Sequence, residues 1–347
     1  MLWWHWTKEM KNWMSVEGSG PRGTRLWLPD IASMVRERLE NTGELKEEHN
    51  FSDIGRLVTR QLSDTRGGTG SMRLSEAGKC IRARAYSLHH WEKNGHGRDA
   101  GSSITFAIGD ITEAFLVAAT REALSGNDNV VLKNAGAGQK EVYLDIPINE
   151  NRTARILGHP DGTMHIKNPD SWESQHPTIN AIFELKSMSD YGFKMFRKNG
   201  LSNSDPYYAQ IQAYMLAETI MTEAPCNWAY VMAFGKSSSG MEAHINNDGE
   251  WWKLFPLIGQ WIPADRDFQE GIFADYQRLL TSTDVEQFPR PHGPAIKGKN
   301  KGKLRFPCSY CAYYKHCFPG SYQVAEESKW LQKVDKIQVV VPEGGMK

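Results

Sequence analysis

Pro160-Asp161-Gly162 and, from position 184 on, Glu184-Leu185-Lys186 are the two short stretches on which the fold turns. The first reads as a tight turn, His159 to Gly162, between two apolar runs, 154–158 and 163–166. The second lies on a strand over 182–185, reached after a loop rich in Asn, Pro, Ser and His. Side chains alternate along a strand, so Glu184 and Lys186 share a face. A turn beside that strand can bring Asp161 to the same end of a sheet. Carboxylates suit hard divalent cations, which prefer oxygen ligands. Phosphodiester hydrolysis needs such a cation, an in-line water and a group that neutralises the charge building on phosphate and leaving oxygen. An E-x-K triplet alone recurs by chance. Asp161 could equally cap a turn, and Glu184 with Lys186 could form a surface pair.

The flanking sequence supplies an α/β frame. Residues 141–148 alternate through Val142, Leu144, Ile146 and Ile148, the pattern of a half-buried strand. A further strand is expected over 230–234, and a helix over 206–222. A helix over about 104–125 is expected to bury Ile108, Ile111, Phe115 and Ala118. Residues 251–282 read as one long helix. A helix opened by Pro29 runs through Val35, Leu39 and Leu45, and a short one after Ser71 carries Cys80, Arg82, Arg84 and Tyr86.

Cys308, Cys311 and Cys317 form a C-x2-C-x5-C pattern, to which Cys80 could add a fourth thiolate from far upstream. Four cysteines satisfy tetrahedral Zn2+ or an iron–sulfur cluster, and spacing does not decide between them. Cys226, beside Pro225 and ahead of an apolar run, reads as a buried inert thiol.

Pro160-Asp161 followed by Glu184-Leu185-Lys186 resembles the signature of the PD-(D/E)xK nuclease superfamily. Gln210 and Tyr214, four apart on the 206–222 helix, are similar to the Q-x-x-x-Y motif of its RecB-like branch, which includes CRISPR-associated iron–sulfur exonucleases. One cysteine ahead of the core and three behind it resemble the 4Fe–4S arrangement of that branch, and the residues around Cys80 are similar to its first-cysteine segment. The resemblance spans about residues 71–320. It implies a restriction-endonuclease-like α/β core, a central mixed sheet flanked by helices, with a helical iron–sulfur region joining N- and C-terminal parts. It also implies a Mg2+- or Mn2+-dependent DNA exonuclease. Glu113, Asp161, Glu184 and the Leu185 carbonyl would hold metal, with Asp161, Glu184 and Lys186 catalytic. Gln210, Tyr214 and Tyr207 would position DNA. Cys80, Cys308, Cys311 and Cys317 would hold a 4Fe–4S cluster, with structural Zn2+ as the alternative. The branch usually carries histidine in its first core helix, where this chain has Glu113; that leaves the metal preference open.

Composition is that of an ordinary globular chain: 347 residues, 40% hydrophobic, 24% charged, formal net charge zero. Neutrality excludes a tail-driven nucleic-acid binder but not a locally basic groove. Basic residues gather near Cys80 (Arg82 and Arg84), after E-x-K (Lys194, Arg197 and Lys198, interleaved with Tyr191, Phe193 and Phe196) and over 290–306. Such clusters suit DNA with single strands or free ends. No apolar run reaches the roughly 18 residues of a membrane span, and no secretory signal is expected at Met1–Glu9. A reducing, cytoplasmic or nucleoid-associated setting follows from the unpaired cysteines. No G-x4-G-K-[ST] motif occurs, so unwinding would fall to a helicase or recombination partner. The expected divisions are an N-terminal helical appendage (1–66, with Trp3, Trp4, Trp6 and Trp13), a nuclease core with the cysteine site (67–325) and a tail (326–347). Two other readings remain open: a structure-specific endonuclease on the same fold, and a non-catalytic subunit that binds DNA ends.

Overall fold

A computed structural model describes residues 13–16, 26–42, 54–55, 58–59, 72–93, 100–167, 178–236, 243–245, 251–253, 256–289, 308 and 311–318. In chain order its elements are β1 (Trp13–Val16), β2 (Leu26–Pro29), α1 (Ile31–Thr42), α2 (Ile81–Leu88), α3 (Ala100–Leu124) and β3 (Val130–Lys133). Then follow β4 (Val142–Asn149), β5 (Arg152–Gly158), β6 (Gly162–Lys167), β7 (Thr178–Met188), α4 (Asp190–Asn199) and α5 (Pro206–Thr222). The last are β8 (Trp228–Gly235), β9 (Ala243–Ile245), β10 (Trp251–Lys253), β11 (Leu257–Pro263), α6 (Arg266–Thr281) and α7 (Tyr314–Cys317). The chain divides into two compact units, Met1–Gly78 with Arg98–Thr281, and Lys79–Gly97 with Ser282–Lys347.

The first unit is built on a five-stranded mixed sheet in the order β11-β8-β7-β6-β3, with helices packed against it. Only β7 and β8 are parallel; every other pairing is antiparallel. Parallel neighbours require a crossover, and here α4 and α5 supply it. The run from Trp228 to Phe234 is apolar almost throughout because β8 sits inside the sheet, buried along nearly its whole length. Each such side chain withdrawn from water contributes roughly 2 kcal/mol. A separate antiparallel hairpin pairs β4 with β5, packed against α5 and α6. Pro206 opens α5 at a position where its missing N–H costs nothing.

Several elements differ from the sequence reading. Residues 251–282 are not one helix. Pro256 and Pro263 interrupt it, and Leu257–Pro263 instead adds an edge strand to β8, leaving a helix only from Arg266. An edge strand tolerates proline because one ladder is absent there. Helix α1 is opened by Asp30, whose carboxylate accepts from the Ser33 N–H, while Pro29 ends β2. The described residues of this N-terminal segment pack on the sheet. Leu28, Ile31, Ala32 and Val35 lie in the same core as Phe183, Tyr230 and Trp261. Trp261 Nε1 donates to the Pro29 carbonyl, and the Tyr230 hydroxyl accepts from the Ala32 N–H.

The expected buried stripe of α3 is also reversed in part. Ala118 is buried, but Ile108, Ile111 and Phe115 are 46%, 46% and 38% exposed. The helix instead approaches the sheet through Gly109, where a side chain's first carbon would meet Ser187 Oγ at 3.0 Å. Leu116, Val117 and Ala119 are buried further along. Trp3, Trp4 and Trp6, the basic run 290–306 and the tail beyond 326 lie outside the described residues. Among the described residues no helix is long and apolar enough to cross a membrane.

Candidate active site and thiol site

Asp161 sits in the turn between β5 and β6, Glu184 and Lys186 lie on central β7, Glu113 is on α3, and Gln210 and Tyr214 are on α5. The first unit brings all six together. The Leu185 N–H donates to Asp161 Oδ2 at 2.7 Å, and the Asp161 N–H donates to Glu184 Oε2 at 3.4 Å. Lys186 Nζ donates to Glu184 Oε1 at 2.5 Å, and Gln210 Nε2 donates to that same oxygen at 2.8 Å. Gln210 Nε2 also donates to the Tyr214 hydroxyl at 3.1 Å. The alternation that puts Glu184 and Lys186 on one face is borne out in β7, and the four-residue spacing on α5 aims Gln210 and Tyr214 at one point.

Glu184 is only 1% exposed, and Asp161 is buried. Burial, reinforced by Asp161, raises the Glu184 carboxyl to about 7. Burial raises Glu113 to about 7 as well, against the pull of Lys186, with Glu184 adding to the rise. Asp161 is held well above the usual carboxylate range by burial and then by Glu113, with which it shares a hydrogen bond. Burial acts to discharge Lys186, but Glu184 and Asp161 outweigh it, so the ammonium stays protonated. Three carboxylates against one ammonium leave two uncompensated negative charges when all are ionised, which burial makes costly. A divalent cation would cancel that excess, so the donor chemistry fits Mg2+ or Mn2+. The donor geometry is not open as it stands. Among the described residues no group of three or more His, Cys, Asp or Glu is arranged to hold a metal ion. Lys186 and Gln210 occupy Glu184 Oε1, while the Leu185 N–H and Gln139 Nε2 occupy the two Asp161 oxygens.

Two contacts had no signal in the sequence. Gln139, on the loop before β4, donates to Asp161 Oδ1 at 3.2 Å. The Gly158 α-carbon lies so close to Tyr214 that a methyl group there would sit 2.5 Å from the ring, and 2.8 Å from Leu74 Cβ. Tyr207, expected to touch DNA, is 40% exposed with Lys186 Nζ 5.1 Å from its ring centroid. Lys194 and Arg197 are exposed on α4, and Phe193 and Phe196, counted with them in the sequence, are buried.

The second unit holds Cys80, Cys308, Cys311 and Cys317, none of them in a disulfide. Burial, helped by the nearby Cys80, Cys317 and Cys308, raises the Cys311 thiol to about 11. Tyr86 packs on Trp91, Tyr313 and His316, and its hydroxyl lies 4.0 Å from Cys317 Sγ. Four thiols are by their chemistry a donor set for Zn2+ or an iron–sulfur cluster, but among the described residues these four, like the carboxylates, are not arranged as a group able to hold a metal ion. Arg82 and Arg84 do not fit the expected role on DNA, because both are buried in this unit. Arg82 donates to the Phe288 carbonyl at 2.8 Å and pairs with Glu286. Cys226 is buried in the first unit, where burial raises its thiol to about 12, as an inert thiol requires.

No family model and no curated protein matches the chain. Several solved structures show a remote likeness, among them two of LHK-Exo. One is a crystal structure of LHK-Exo in complex with dAMP, at 14% identity over 67% of this chain and 91% of the other, with a TM-score of 0.35. The second is an alkaline exonuclease (LHK-Exo) from Laribacter hongkongensis, at 14% identity over 61% and 90%, with a TM-score of 0.28.

Proposed function

We propose that the protein is a metal-dependent DNA exonuclease on a restriction-endonuclease-like core. The observation that carries this reading is the convergence of Glu113, Asp161, Glu184 and Lys186, from three separate elements, in one buried, charge-unbalanced site. Glu113, Asp161, Glu184 and the Leu185 carbonyl would hold one or two Mg2+ or Mn2+ ions, which when bound supply Lewis-acid stabilisation of the phosphoryl oxygens. Lys186 stays charged beside the carboxylates, so it acts as a hydrogen-bond donor that orients the attacking water or offsets developing charge, not as a base. Gln210 donates to Glu184 and to the Tyr214 hydroxyl, and since both side chains are buried they would position the carboxylate rather than touch a DNA strand directly. Tyr207 walls the site over Lys186.

The four cysteines of the second unit would hold a 4Fe–4S cluster, or structural Zn2+, with a structural role. Anaerobic purification, an absorption spectrum, and iron and zinc assays separate the two. Unwinding would come from a helicase or recombination partner in a reducing compartment. The functional test is incubation of end-labelled single- and double-stranded DNA with Mg2+ or Mn2+. Release of label as short products from the ends supports the exonuclease; internal fragments would make it an endonuclease. Absence of any cleavage would leave a DNA-end-binding subunit.

A further inference from the structure

We propose that the outward face of α4, formed by Tyr191, Lys194, Met195 and Lys198, is the track along which single-stranded DNA approaches the carboxylate site. The inference rests on the exonuclease reading and names the form of DNA. These four residues fall at i, i+3, i+4 and i+7, one stripe of a helix. Phe193 and Phe196 are buried on the opposite side, where α4 packs on β7 and β8. The helix begins at Asp190, so the chain passes from Lys186 to the track at Tyr191 in five residues.

Tyr191 is 76% exposed and Met195 40%, which packing of α4 on its own sheet does not explain. The helix dipole accounts for Arg197 and Lys198 in the last turn but not for Lys194 mid-helix. No acid lies between Tyr191 and Asn199. An exposed ring beside cations, spanning about 10 Å of helix, suits a ligand that is both polyanionic and able to offer an unstacked π-face. Single-stranded DNA has both properties, whereas duplex bases have their faces covered.

Fluorescence anisotropy with a labelled oligothymidine and a matched duplex, in buffer without divalent cations, tests this. Tyr191→Ala is expected to raise the Kd for the single strand about tenfold and to leave the duplex Kd unchanged; Tyr191→Phe restores binding. In the Lys194→Ala/Lys198→Ala double variant, the slope of log affinity against log salt is expected to fall by about 1.4. An unchanged single-strand Kd in Tyr191→Ala, an equal loss on duplex, or a wild-type protein that binds no single strand overturns the track. Should the wild type lose affinity on Tyr191→Ala yet cleave no DNA with Mg2+ or Mn2+, the exonuclease reading falls and the track stands as a binding surface.

Discussion

The carboxylate site of the first unit and the thiol site of the second both gather acidic donors from distant sequence, yet they are held in opposite ways. The carboxylates stand on the central strand of a five-stranded sheet, in the turn ahead of β6 and on one helix packed against the sheet. Lys186, Gln210, Gln139 and the Leu185 N–H occupy their oxygens. Of the thiols, Cys80 caps the start of an eight-residue helix, Cys317 ends a four-residue one, and Cys308 and Cys311 precede that short helix, with aromatic rings nearby. A site with its own internal cation can persist without metal, whereas thiols that close on a metal or cluster draw folding energy from it. Metal should therefore matter to chemistry in the first unit and to folding in the second.

The sharpest way to break that contrast is at Lys186. Lys186→Ala is expected to lower kcat about 10³-fold while DNA affinity survives, measured by end-label release and anisotropy. Activity that persisted would remove the lysine from the chemistry. Next comes Cys311→Ser, expected to lose bound iron or zinc and to open Lys79–Gly97 and Ser282–Lys347 to protease. Mn2+ affinity at the carboxylates should be unchanged; loss of both would tie the two sites together. A smaller effect is expected from Gly158→Ala, whose methyl group must displace the Tyr214 ring and with it the hydrogen bond to Gln210. A fall in kcat/KM of about tenfold together with a loss of several degrees in Tm is the expected result, consistent with overpacking against Leu74 and misplacing a supporting group.

The smallest effect concerns pH. Glu113 and Glu184 bind protons more tightly in the folded protein, at about 7, than at the ordinary 4.5. Their contribution to stability is therefore complete below about pH 4.5 and is lost as pH rises toward 7. Without divalent cations, the melting temperature should drop by a few degrees from pH 5.5 to 8, and Mn2+ should restore it more at pH 8. A Glu184→Gln variant should lose part of that pH dependence.

The local chemistry of the site was legible in the sequence because short-range rules fix it. The alternation along β7 aligns Glu184 with Lys186, and the spacing on α5 aligns Gln210 with Tyr214. Residues 206–222 form the expected helix because Pro206 marks its start and no interior residue breaks it. Long-range packing was less legible. Ile108, Ile111 and Phe115 have helical periodicity but face outward, since Gly109 makes the approach to the sheet. Residues 251–282 have helix-like spacing, yet two prolines and the ladder with β8 take part of the segment as strand. Arg82 sits among other basic residues in sequence, but its partners Phe288 and Glu286 lie about two hundred positions away. Gln139 reaches Asp161 from a loop whose pattern carries no sign of it.

Calorimetric titration of Mn2+ into the wild-type protein and into Glu184→Gln at pH 8 bears most directly on the carboxylate site. Saturable binding by the wild type, weakened at least tenfold in the variant, is the predicted result. Equal binding by both proteins, or none by the wild type, would contradict a cation site at Glu113, Asp161 and Glu184.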